Sequence, residues 1–109
     1  MGKRLVDDEN AMFSRGTVFR FAAPSHERGE EVDLMLYIHE EGQLGLVLTT
    51  GYKAGHVVAL LPSEAYPTGS VMASAKWLVA NWSQRIWDGI SPGDVEVVGN
   101  YPPHRTLFN

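Results

Sequence analysis

The chain has 109 residues, a formal net charge of −4 and no cysteine, and 44% of its residues are hydrophobic. A chain of this size holds one core, and the absence of cysteine excludes both a disulfide framework and thiolate chemistry. The acidic balance argues against nucleic acid as a partner, because phosphate binding needs clustered Lys and Arg, and it suits a basic protein instead.

One domain over residues 1–109 is the expectation. No run approaches the roughly 18 apolar residues of a membrane helix, so no membrane partner is expected. Asp7, Asp8 and Glu9 stand where a signal peptide would carry its apolar core, which points to a cytoplasmic protein. Residues 1–12 read as a flexible, solvated lead-in.

Thr17 to Phe21 is the first strand candidate, with Thr17, Phe19 and Phe21 on one face and Val18 and Arg20 on the other. Pro24 ends it, and Ser25 to Glu31 forms a polar connection. Val32 to His39 alternates cleanly. Val32, Leu34, Leu36 and Ile38 make an apolar face, and Asp33, Met35, Tyr37 and His39 a mixed, partly wet one. Glu40 to Gln43 is a tight link into two apolar runs, Leu44–Leu48 and Val57–Leu61, joined by the glycine-framed turn Thr49 to Gly55. These two runs are predicted to form the centre of an antiparallel sheet.

Pro62, Pro67 and Gly69 interrupt regular pairing. A helix is predicted over residues 73–87, capped by Ser70 or Ser74, with Ala75, Leu78, Val79, Trp82 and Ile86 at helical spacing and Gly89 as its stop. Ser91 to Asp94 is a turn before a last strand, Val95 to Val98, and an irregular tail covers residues 102–109. The order predicts an α+β fold: a mainly antiparallel sheet of about five strands with one major helix packed on one face. Phe19, Phe21, Leu34, Leu36, Leu46, Leu78 and Trp82 are the predicted core.

No chemical motif completes itself. His39-Glu40-Glu41-Gly42-Gln43 lacks the second histidine of HExxH, and His26, His39, His56 and His104 show no metal-ligand spacing, so neither metal nor cofactor is expected. Gly51-Tyr52-Lys53-Ala54-Gly55 lacks the Walker spacing and precedes a strand, so it reads as a hairpin turn. The serines sit in no GxSxG elbow, and no catalytic residue is assigned. Trp77, Trp82 and Trp87 recur at intervals of five and cannot share one α-helical stripe. Trp82 is core by its place on the helical stripe, and the other two are core edge, favoured over an exposed contact patch.

Three segments together resemble a family: RGTVFRFAAP at 15–24, LMLYIHEEGQLGLVLTTGYKAGHVVALLP at 34–62, and KWLVANW at 76–82. They are similar to the immunity protein 45 group of bacterial polymorphic toxin systems, from about Arg15 to Tyr101. The resemblance implies a small, non-enzymatic α+β protein that neutralises a secreted toxin inside the producing cell. It further suggests a nuclease, whose basic groove an acidic inhibitor can cover, blocked by stoichiometric binding of a monomer or homodimer. The expected contact surface is the wet face and rim of the sheet, at Asp33, Tyr37, His39, Glu40, Glu41, Tyr52 and Lys53, with tyrosines as anchors and carboxylates as rim. Two other readings stay open. One is a small enzyme or metal-binding protein using His39 and His56; the other is a ligand-binding or regulatory module.

Overall fold

The computed structural model describes residues 3–23, 31–51, 53–66 and 71–99. Eight strands occur there: β1 (Lys3–Arg4), β2 (Met12–Phe13), β3 (Val18–Ala22), β4 (Glu31–Ile38), β5 (Leu44–Leu48), β6 (Val57–Leu60), β7 (Ala73–Ser74) and β8 (Glu96–Gly99). Six of them form one antiparallel sheet in the order β1-β8-β3-β4-β5-β6, while β2 and β7 pair in a small ribbon. The fold is α+β, with the helix on one face of the large sheet.

The alternation of the sequence decides the two faces. Phe19 and Phe21 of β3, Val32, Leu34 and Leu36 of β4, and Leu44, Leu46 and Leu48 of β5 all join one buried cluster with Leu78 and Trp82 of the helical segment. The intervening residues point to the other, outer face, because successive side chains alternate along a strand. Every predicted core residue is buried.

The sheet is centred elsewhere than expected. β3 and β4 lie inside it, β5 is internal as predicted, but β6 is an edge strand. Its Val57 and Leu60 are 40% and 45% exposed, because an edge strand has a neighbour on one side only. An apolar run therefore marked a strand correctly and its depth wrongly. The glycine-framed turn before it holds: Gly51 and Gly55 have φ of +79° and +97°, a region open mainly to glycine.

The lead-in also differs from its expectation. Lys3 and Arg4 pair with Val97 and Glu96, the Leu5 N–H donates to the Val95 carbonyl at 2.8 Å, and Leu5 is buried. Polar residues here pair at a sheet edge, which needs no apolar pattern, and the single anchor Leu5 is too little for periodicity to detect. Phe13 of β2 then enters the core beside Phe19, ring centroids 5.3 Å apart.

The helix is α1 (Ala75–Asn81), continued by a π-helical turn over Trp82–Ile86. Ser74 caps it, its hydroxyl accepting from the Trp77 N–H at 3.3 Å; Ser70 lies outside the described residues. In the π turn the Trp87 N–H donates to the Trp82 carbonyl at 3.0 Å, an i→i+5 bond. That wider turn brings Trp87 back towards the sheet, so Phe21 meets both Trp82 at 5.9 Å and Trp87 at 5.2 Å. Trp77 stays half-buried with the Arg85 guanidinium 5.7 Å above its ring. The last strand begins at Glu96, leaving Val95 buried before it.

Trp82→Ala should lower stability by about 3–5 kcal/mol, the usual range for truncating a buried aromatic. Trp82→Phe should cost less, since it keeps a ring at the site. Thermal unfolding of the two variants checks this, and a parental midpoint for the alanine variant would place the indole outside the core.

Candidate partner interface

The outer face of the large sheet carries two contrasting zones. None of its side chains at Arg20, Asp33, Met35, Tyr37 or Val47 belongs to the buried apolar cluster or packs against it. The first zone is a row of alternating charge. Arg4 on β1 stands opposite Glu96 on β8, Glu96 opposite Arg20 on β3, and Arg20 opposite Asp33 on β4. Opposite charges in facing positions support a sheet, typically by 0.2–1 kcal/mol for each pair.

Arg20 grips Asp33 bidentately: Nε donates to Oδ1 at 2.8 Å and Nη2 to Oδ2 at 3.0 Å. A second ion pair at 3.8 Å links Arg20 to Glu31. The hydrogen bonds to Asp33 come first in holding the Arg20 proton even more tightly than usual, against the opposing effect of burial. Thr49 and Thr50 hold the backbone of Asp33: both the N–H and hydroxyl of Thr49 donate to its carbonyl, and its own N–H donates to Thr50 Oγ1. Beside this row lies a shallow polar cleft of about 260 Å³, with Glu31, Asp94 and Glu96 on its walls beside the two arginines.

Asp33 is therefore not a rim charge. It is on the face predicted for it but only 3% exposed, because Arg20 lies directly opposite and covers it. Arg20 and Arg4 are not among the predicted contact residues. The signal for Arg20 was present, since period two sets it on the non-core face of its strand.

The second zone sits at the β4–β5 turn. Tyr37 faces Gly45 across the strands, and a Cβ on Gly45 would lie 2.7 Å from Tyr37 Cε1 and 3.1 Å from Leu60 Cδ2. The bare glycine thus lets the phenol ring lie across β5 towards β6. Its hydroxyl is 2.7 Å from His39 Nδ1 and donates to it when the imidazole proton is on Nε2. The turn beyond holds exposed Glu40 and Glu41, the latter with φ of +61°, a left-handed conformation that a glutamate rarely takes.

The predicted contact residues thus separate. Tyr37, His39, Glu40 and Glu41 gather at one end of β5. Lys53 is exposed in the turn at its other end, roughly 17 Å away for five residues at about 3.3 Å each. Tyr52 lies outside the described residues, as do His26 and His104. Among the described residues, no three His, Asp or Glu side chains converge to hold a metal ion. No described helix is long and apolar enough to cross a membrane.

The family model of Immunity protein 45 matches residues 5–97. The chain belongs to the immunity protein 45 family. Membership brings the coarse function with it: an immunity protein, with a cognate toxin protein as the implied partner and a non-enzymatic role suggested. The match starts at Leu5, earlier than the resemblance read from the sequence, which accords with the burial of that side chain. No curated protein and no solved structure matches the chain.

Partial burial pushes the Tyr37 hydroxyl above its ordinary value of 10.0. Since the unfolded chain releases that proton first, the fold should lose stability as pH rises past the ordinary tyrosine range. Gly45→Ala should expel the ring from its seat and return this phenol towards its ordinary titration. Tyrosine-resolved NMR titration of the parent and the variant measures both, and identical curves would show that the ring does not depend on Gly45.

Proposed function

We propose that this immunity protein neutralises its toxin by one-to-one binding through the outer face of the large sheet, and that the toxin is a nuclease acting in the cytoplasm. The observation that carries the reading is the family match over residues 5–97. The sheet supports it by offering a face free of the buried cluster, with half-buried Tyr37 positioned between an acidic turn and the charged row.

Tyr37 suits the part of an anchor. A tyrosine presents a large apolar ring with a polar tip, and here Gly45 and His39 fix the ring before a partner arrives, which reduces the ordering that binding requires. Glu40 and Glu41 lie at the rim, where exposed charge chiefly affects how fast partners meet and how salt changes that rate. A nuclease groove must be cationic to hold phosphates, so an acidic inhibitor of net charge −4 is drawn to it. Lys53, at the far end of the face, makes a secondary contact in this reading. Asp33 contributes indirectly, by fixing Arg20.

Co-expression with the toxin encoded beside it should protect cells, and failure to protect would remove the functional reading. Tyr37→Ala should weaken the complex by about 30-fold, the effect of losing a contact of about 2 kcal/mol. Glu40→Lys with Glu41→Lys should slow association roughly tenfold at low salt and flatten its salt dependence. On-rates that stay at the parental value would exclude the turn from the interface.

A further inference from the structure

The two edges of the large sheet are built differently. β1 is two residues long, and both, Lys3 and Arg4, are charged and exposed. Short length and charge are the usual means of keeping a sheet edge from pairing with another chain. β6 carries no charge and no proline over Val57–Leu60, and among the described residues it has β5 on one side and no strand on the other.

Its side chains follow an unusual order. The pairing with β5 shifts between Leu46 and Val47, so that Val57 stands opposite Val47, Ala59 opposite Leu46, and Val58 is the extra residue. Facing partners share a side of the sheet, and Gly45 and Val47 are on the outer face, so Leu60 and Val57 are on it too. Val58 and Ala59 both pack against the core. The strand therefore reads outer, core, core, outer. In an unbroken strand, residues three apart point to opposite faces.

That palindrome has a consequence. A strand can pair antiparallel with its own copy about a two-fold axis perpendicular to the sheet only if facing residues point the same way. With the axis between Val58 and Ala59, Val57 faces the second copy's Leu60 and Leu60 faces its Val57, all on the outer side. The bulge is what makes this register fit.

Charge follows the same symmetry. At the Val57 end, exposed Lys53 precedes the strand. At the Leu60 end the Leu61 N–H donates to the Leu44 carbonyl at 2.8 Å, so the exposed Glu40 and Glu41 turn and exposed Glu64 leave the sheet there. Reversing one copy against the other brings the cationic end of each beside the acidic end of its partner.

The geometry points to β6 as a homodimer edge: two copies join through Val57–Leu60 about a two-fold axis, merging two six-stranded sheets into one continuous sheet. An interface this small belongs with weak, reversible contacts, so association is to be sought at roughly 100 μM. It is independent of the toxin reading and is measured on the protein alone.

The chain has no cysteine, so introduced ones report without background. The double variant Val57→Cys, Leu60→Cys in a glutathione redox buffer should give a disulfide-linked dimer, because the register puts those positions within reach of each other across the axis. Either single variant should remain unlinked, since position 57 is too far from its own copy, and so is 60. Sedimentation of the unmodified protein between about 20 and 500 μM should show mass rising towards the dimer. Val57→Lys with Leu60→Lys should abolish this rise while circular dichroism and thermal midpoint stay at the parental values, as both residues lie outside the core cluster. An unmodified chain that stays monomeric over the range overturns the proposal, and so does a dimer that survives both lysines or single variants that cross-link as well as the double.

Discussion

Trp82 stands edge-on to Phe19 at 5.8 Å and to Phe21 at 5.9 Å, and Phe13 closes on Phe19 from the small ribbon. This aromatic chain ties three parts of the protein together: the ribbon, the middle of the sheet and the helical segment. Edge-to-face rings have preferred separations and angles, so the helix cannot slide over the sheet without losing several contacts together. The π turn belongs to the same arrangement, since it brings Trp87 onto Phe21 without moving Trp82. One polar atom is left over. The indole Nε1 is buried with no hydrogen-bond partner among the described residues, and such a group costs about 1–3 kcal/mol. A large ring in the centre of the core evidently outweighs that.

With the inner face committed to apolar packing, the outer face is where the sheet can differ in chemistry without losing its core. It uses that freedom in two ways. In the charged row Arg20 neutralises Asp33 through two hydrogen bonds, which makes that pair a rigid part of the sheet. At the Tyr37 corner the half-buried phenol pairs with His39, and the acidic turn beyond it is exposed. Rigidity beside exposure suits the proposed contact surface, because a preformed surface binds with less loss of freedom.

Strand alternation was legible in the residues, and it separated the core from the outer face in β3, β4 and β5. Two things were not. Neighbourhood in a sheet is decided by pairing between distant segments, so the apolar run at β6 looked central though it lies at the edge, and Asp33 looked exposed until Arg20 was found opposite it. The helix was legible as a stripe at α-helical spacing, yet its last turn widens, and a fixed period of 3.6 could not foresee that Trp82 and Trp87 would both reach Phe21. Of the predicted contact residues, Tyr37, His39, Glu40 and Glu41 are brought together by the fold, because a turn keeps sequence neighbours close. Lys53 is apart from them for the same reason, being in the next turn.

The pairing of β1 with β8 bears on timing. Lys3 and Arg4 meet Val97 and Glu96, so the sheet's first strand waits for its last before it has a neighbour. β3 through β6 form a run of successive neighbours and can zip up locally, but β8 must then insert between β1 and β3. Contacts between the two ends of a chain are entropically expensive to close and slow a fold down. On the ribosome, almost the whole sequence must emerge before the sheet is complete. The strands that carry Tyr37 and its acidic turn can therefore be in place before β1 and β8 are.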